Sequence, residues 1–121
     1  MERIAEGEYA VMEVLWQEAP LTAAEVAERV PADRGWSLAT VKTMLSRLLA
    51  KGVLSHQEEG RRYLYQPAIE REDYVAEESG RLIDRMFAGR VTPLVAQLAA
   101  RDRLSPADIE EIEALLKELK S

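Results

Sequence analysis

Between Ser37 and Ser55 the chain sets Lys42, Arg47 and Lys51 among hydroxyl and small side chains, with no acid anywhere in the stretch. At the helical advance of about 100° per residue, Ala39, Thr43, Ser46, Arg47 and Ala50 share one face, with Thr40, Lys42 and Lys51 at its margins. A solvated helix face usually mixes charges of both signs, so an acid-free face in an acidic chain needs a cause. Arginine and lysine donate to guanine edges and phosphates, hydroxyls serve either, and small residues allow close approach, which suits a DNA major groove. Further on, Arg61 and Arg62 form a second cationic point suited to backbone phosphates. The spacing predicts Arg47 and Thr43 at base edges, with Lys42, Lys51, Arg61 and Arg62 mainly on phosphates.

These side chains need a scaffold. Ser37 is a good N-cap and Gly52 stands where a left-handed C-terminal cap belongs, so one helix lies between them. Leu38, Val41, Leu45 and Leu48 recur at steps of three and four and form its apolar face. Upstream, Tyr9, Met12, Leu15 and Trp16 predict a first helix from Gly7 to Glu18, ended by Pro20, with Trp16 in the core. Thr22 and Glu25 form a capping box for a second helix through Arg29, whose apolar side is Ala24, Val26, Ala27 and Val30. Pro31 to Gly35 is turn chemistry. Two helices about such a turn, the second with a cationic face, form a helix-turn-helix. Val53–Gln57 and Arg61–Gln66 then predict a β-hairpin about Glu58-Glu59-Gly60, with His56 an ordinary strand residue. A hairpin directly after a recognition helix is a wing, so residues 1–67 are expected to form a winged-helix DNA-binding domain.

After Pro67 the pattern is helical throughout, giving a mainly α chain. Val75, Leu82, Ile83, Met86 and Phe87 mark a helix from about Glu70 to Phe87, stopped by Gly89. Thr92-Pro93 is expected to cap a short helix carrying Leu94, Val95, Leu98 and Ala99. Ser105-Pro106, with Asp108 at the third position, opens a last helix with Ile109, Ile112, Leu115, Leu116 and Leu119. Three helices in so few residues enclose too little surface for a core of their own. Packing on the winged helix is one solution. Exposed stripes on three helices joined to it by a single connection at Pro67 favour pairing with a second copy, so residues 68–121 are expected to be a three-helix dimerisation region. Its interface would use Val75, Leu82, Met86, Leu94, Leu98, Ile109, Ile112, Leu116 and Leu119.

Composition sets further bounds. The 121 residues carry a net charge of −6, which taken alone argues against a nucleic-acid partner. The charge is uneven: residues 1–33 are net −6, residues 34–62 net +4 and residues 63–121 net −4. Affinity for a phosphate backbone follows the local patch within roughly a Debye length of about 10 Å. Cys is absent and His56 is the one histidine, which excludes disulfides and argues against any zinc, copper or haem site, so neither metal nor cofactor is expected. No apolar run is long enough to span a membrane and no signal-peptide pattern opens the chain, so a cytoplasmic location is expected. Ser37, Ser46 and Ser55 have no plausible base beyond His56, and no phosphate-binding glycine loop is present, which disfavours enzymes. A winged helix used purely for protein–protein contact stays open as an alternative.

Over nearly its full length the chain resembles the BlaI/MecI/CopY family of bacterial penicillinase repressors. The resemblance rests on Glu8–Trp16, Trp36-Ser37, Thr40-Val-Lys-Thr43 continuing to Arg47-Leu48 and Lys51-Gly52, Tyr65–Pro67, Met86–Gly89 and Leu104-Ser105. It implies a dimeric winged-helix repressor of palindromic operators with TACA/TGTA-like halves, and it brings Ser37 and Thr40 to the DNA backbone. The copper-responsive branch carries a C-terminal cysteine cluster, from which this chain departs. The beta-lactamase branch implies release through cleavage by a membrane sensor metalloprotease. Counting back from Leu104-Ser105 puts the corresponding bond at Gln97–Leu98, where that branch has Asn before Phe.

Overall fold

The computed structural model describes residues 3–121 and divides the chain into a compact unit ending at Tyr74 and a second from Val75 to Ser121. The first contains α1 (Glu6–Gln17), α2 (Ala23–Arg29), a short 3-10 turn (Ala32–Arg34), α3 (Leu38–Ala50), β1 (Leu54–Glu59) and β2 (Arg62–Pro67). Val11, Met12 and Leu15 of α1, Val26 of α2 and Val41, Leu45 and Leu48 of α3 are essentially inaccessible and form the core with Val53. Their spacing leaves one stripe per helix to bury, and the three stripes meet. Gly7 of α1 lies against Met44 of α3, where a Cβ would stand 2.9 Å from the movable Cε of that side chain. In α2 it is Ala23 that packs against the core, while Ala24 is exposed.

The hairpin is longer and tighter than the turn residues suggest. β1 pairs antiparallel with β2 from Leu54 opposite Pro67 to Glu59 opposite Arg62. Glu58 and Glu59 therefore belong to the strand, and Gly60 and Arg61 alone make the turn. Gly60 has φ +65°, a backbone conformation that costs a side-chain-bearing residue energy. Leu21 adds an isolated bridge on the far edge of β2, exchanging backbone hydrogen bonds of 3.0 and 2.7 Å with Tyr65. That bridge fastens the wing to the segment between α1 and α2.

The division of the chain lies within α4 (Arg71–Phe87) and not at Pro67. Aromatic packing is the reason. Tyr74 is buried, with its ring 5.8 Å from that of Tyr9 and 5.9 Å from that of Trp16, and Nε1 of Trp16 donates to the Ile69 carbonyl at 3.0 Å. The first turn of α4 therefore completes the core of the N-terminal unit.

The second unit holds the rest of α4, then α5 (Val91–Ala100) and α6 (Pro106–Lys120). α6 starts as its sequence predicts: the Ser105 side chain accepts from the Asp108 N–H at 3.0 Å, and Asp108 accepts from the Ser105 N–H at 3.1 Å. α5 does not. Its N-cap is Arg90, without a side-chain cap, and Thr92 and Pro93 lie inside the first turn. Proline is tolerated throughout that turn because its missing N–H would have had no helical acceptor. No side chain from Val75 onward is buried.

Candidate nucleic-acid interface

Ser37 caps α3 as expected, accepting from the Thr40 N–H at 3.2 Å, and its hydroxyl lies 3.1 Å from that of Thr40. The helix then presents Ala39, Lys42, Thr43, Ser46, Arg47 and Ala50 to solvent, while Val41, Leu45 and Leu48 hold the opposite face in the core. Thr43 Oγ1 donates to the Ala39 carbonyl at 3.1 Å. Its hydroxyl hydrogen is thereby occupied, so Thr43 offers acceptor lone pairs and a methyl group to whatever meets the helix.

The wing lies beside the same helix. Leu38, Lys42, Arg61, Arg62, Tyr63 and Thr22 line one open cleft, together with Ala23, Ala24 and Tyr65. No acid lines it. Among the described residues neither Lys42, Arg47 nor Arg61 forms an ion pair, and Arg62 makes a loose exposed one of 3.7 Å with Glu59. Charges so placed are held near a surface by the fold and remain free for an external anion. At the hairpin, the rings of His56 and Tyr63 stand edge to face at 4.7 Å.

Two cations counted in the positive stretch are engaged elsewhere. Arg34 pairs with Glu6 at 2.6 Å and stacks over Trp36 at 4.9 Å from the ring centroid. Lys51, expected on phosphate, turns inward: its ammonium donates to Oε1 of Glu8 at 2.5 Å and to the Arg3 carbonyl at 2.8 Å. The Lys51 side chain is 21% exposed. Among the described residues Glu8 is the one charged residue buried in the core, and a buried carboxylate needs a partner. Burial by itself would raise its pKa. The Lys51 ammonium and the Ala5 N–H, which also donates to it, outweigh that and hold the carboxyl below its ordinary value. The alignment of Glu8 with Met12 and Leu15 at steps of four and three was the available signal of its burial.

Leu38 departs from its helix-face partners. Although it shares a face with Val41, Leu45 and Leu48, it is 42% exposed and opens on the cleft beside Lys42. Periodicity assigns a face but not a depth, and the first residue of a helix extends past the core. Of the residues expected at a dimer interface, Leu82, Met86, Ile109, Leu116 and Leu119 are exposed, and Val75, Leu94, Leu98 and Ile112 are half-buried. Gln97 is exposed and falls, with Leu98, inside α5. Among the described residues no helix is long and apolar enough to cross a membrane.

Comparison with known proteins adds an independent line. A family model described as Penicillinase repressor matches residues 4–118. The chain is 34% identical over 119 residues to the penicillinase repressor of Bacillus licheniformis, covering 98% of this chain and 93% of that relative. It is 26% identical over 113 residues to the methicillin resistance regulatory protein MecI of Mammaliicoccus sciuri, covering 93% and 92% of the two chains. The solution structure of the DNA binding domain of the repressor BlaI matches with a TM-score of 0.52 at 38% identity, over 61% of this chain and 94% of that one. The monomeric form of Bacillus licheniformis BlaI in complex with the blaP half-operator also matches with a TM-score of 0.52 at 38% identity, over 60% and 89%. With a mainly helical winged-helix architecture and a match across almost all its length, this chain belongs to the penicillinase repressor family, a family of transcriptional repressors and not of enzymes.

Proposed function

We propose that this protein is a sequence-specific DNA-binding transcriptional repressor that acts in the cytoplasm as a homodimer on a palindromic operator. The observation that carries the reading is the exposed, acid-free face of α3, flanked by the unpaired Arg61 of the wing. α3 enters the major groove with Arg47 and Thr43 toward base edges. Arg47 donates in the two-pronged manner that suits guanine, and Thr43 accepts from an exocyclic amine or packs its methyl. Lys42, Arg61 and Arg62 meet phosphates on either side, and Ser37 and Thr40 approach the backbone at the N-terminus of α3, where the helix dipole favours negative charge. Lys51 has a structural duty to Glu8 and is left out of the phosphate set. Support also comes from the BlaI relative solved on a half-operator, whose sequence is 38% identical.

The second unit supplies the pairing surface. Its exposed apolar residues, Met86, Leu116 and Leu119 among them, are suited to burial against a second copy. Two linked reading heads gain about 10²–10⁴-fold over one through effective concentration. Cleavage at Gln97–Leu98 by a membrane sensor metalloprotease would detach α6 with its Ile109, Ile112, Leu116 and Leu119, weaken pairing and end repression. Mass spectrometry of protein recovered from derepressed cells tests that step, and an intact chain would refute it.

The reading as a whole is tested by titrating the intact protein against random and palindromic duplexes at two salt concentrations. Binding should favour a palindrome and weaken steeply with salt, with a slope near −0.9 for each phosphate neutralised. Failure to retain any duplex at low salt would overturn it and leave the protein–protein alternative.

A further inference from the structure

The major groove carries a single apolar group among its readable edges, the 5-methyl of thymine. Leu38, the first residue of α3, stands on the apolar side of the helix and yet is 42% exposed. An exposed leucine on a protein surface is ordinary. This one is singled out by its surroundings, because it opens on a cleft whose charged lining residues, Lys42, Arg61 and Arg62, are all cationic. On the reading proposed above, those cations hold a DNA backbone against the cleft that Leu38 also lines. Helical side chains lean toward the N-terminus of their helix, so Leu38 projects past the leading end of α3. Side chains near the leading end of a recognition helix come within reach of base edges as well as of the backbone.

We propose that Leu38 reads a thymine in each operator half through its 5-methyl group. The proposal rests on the reading of α3 as a recognition helix. It assigns a different part of the sequence code from Arg47, which lies more than two helical turns further along α3 and on its hydrophilic face. Thr43 and Arg47 read by hydrogen bonds, whereas Leu38 reads by excluding water from a methyl.

Uracil pairs with adenine as thymine does and lacks only that methyl, so it isolates the contact. The intact protein is first used to enrich duplexes from a random pool, and each thymine of the enriched duplex is then replaced by uracil. At one thymine per half-site the replacement should weaken wild-type binding by about threefold to fourfold, the worth of one buried carbon. Leu38→Ala should bind the parent duplex more weakly by a similar factor and no longer distinguish thymine from uracil at that position. Leu38→Met, which keeps an apolar side chain, should restore the discrimination. Lys42→Ala should weaken binding to both duplexes and keep it. Equal binding of wild-type protein to every uracil-containing duplex would overturn the role of Leu38 while leaving the repressor reading intact. Retention of the uracil penalty by Leu38→Ala would also overturn it, as would a uniform loss on all duplexes, which would place Leu38 against sugar instead. If the protein enriches no duplex, the repressor reading fails and this assignment fails with it.

Discussion

The two units treat the same kind of apolar pattern in opposite ways. In the first, Val11, Met12, Leu15, Val41, Leu45 and Leu48 stand on stripes at steps of three and four, and each is wholly enclosed. In the second, Ile109, Ile112, Leu116 and Leu119 stand on an equally regular stripe of α6, yet Ile112 is half-buried and the others are exposed, Leu119 to 82%. Met86 of α4 is 62% exposed. Helical form in α6 is secured locally, by the Ser105–Asp108 capping pair, the proline in the first turn and lysines in the last. Enclosure is not local, and an isolated helix of that length is marginal in water. One unit encloses its stripes within the chain, whereas the other leaves its stripe exposed, which is the ground for the pairing proposed above.

Removing the second unit should have the largest effect on function. A chain ending at Ala76, which keeps Tyr74 with its aromatic neighbours, should still melt cooperatively. It should be monomeric and bind a palindromic duplex about 10²–10⁴-fold more weakly in a titration. A loss of folding in that shortened chain would break the contrast between the units. Core substitutions sharpen it. Leu45→Ala should cost the N-terminal unit about 2–5 kcal/mol by denaturant melts. Leu119→Ala should leave that unit's transition in place and make pairing weaker and more concentration-dependent. Equal losses in the two variants would erase the distinction.

Within the first unit, Arg47 and Lys51 differ in the same spirit, one facing outward and one inward. Arg47→Ala should cost about 1–3 kcal/mol of operator binding and relax sequence preference, as read from a panel of single-base variants. Lys51→Ala should instead destabilise the fold by about 1–3 kcal/mol, because it strips a buried carboxylate of its strongest donor. The Glu8 carboxyl has its pKa lowered from the ordinary 4.5. Its ionised form therefore contributes stability in full above that value, and the contribution is lost as pH falls through the lower folded-state value. Thermal midpoints measured from neutral pH down to about pH 3 should fall less steeply in Glu8→Gln than in the native protein. The smallest expected effect is that of Arg61→Ala, which should weaken all duplexes alike and reduce the salt slope by about 0.9.

Much of this was legible in the sequence because it is local. The α3 face, the Thr22–Glu25 and Ser105–Asp108 caps and the wing that follows Gly52 all depend on residues within a turn or two of one another. What escaped depends on distant partners or on depth. Glu8 resembles a solvent-facing acid until α3 brings Lys51 to it from 43 residues away. Tyr74 reads as a position on a C-terminal helix until Tyr9 and Trp16 claim it for the first core. Leu38 has the periodicity of a core residue but sits where the core ends. Thr92-Pro93 suits several places in a first helical turn, so its type could not fix the start of α5.

The most direct test of the account is sedimentation of the intact protein, alone and with a duplex bearing an inverted repeat of its enriched half-site. The account predicts a dimer at micromolar concentration and two chains per duplex, loading in one cooperative step, with a single half-site bound at least about 100-fold more weakly. A monomer that occupies one half-site as tightly as the full palindrome would contradict it.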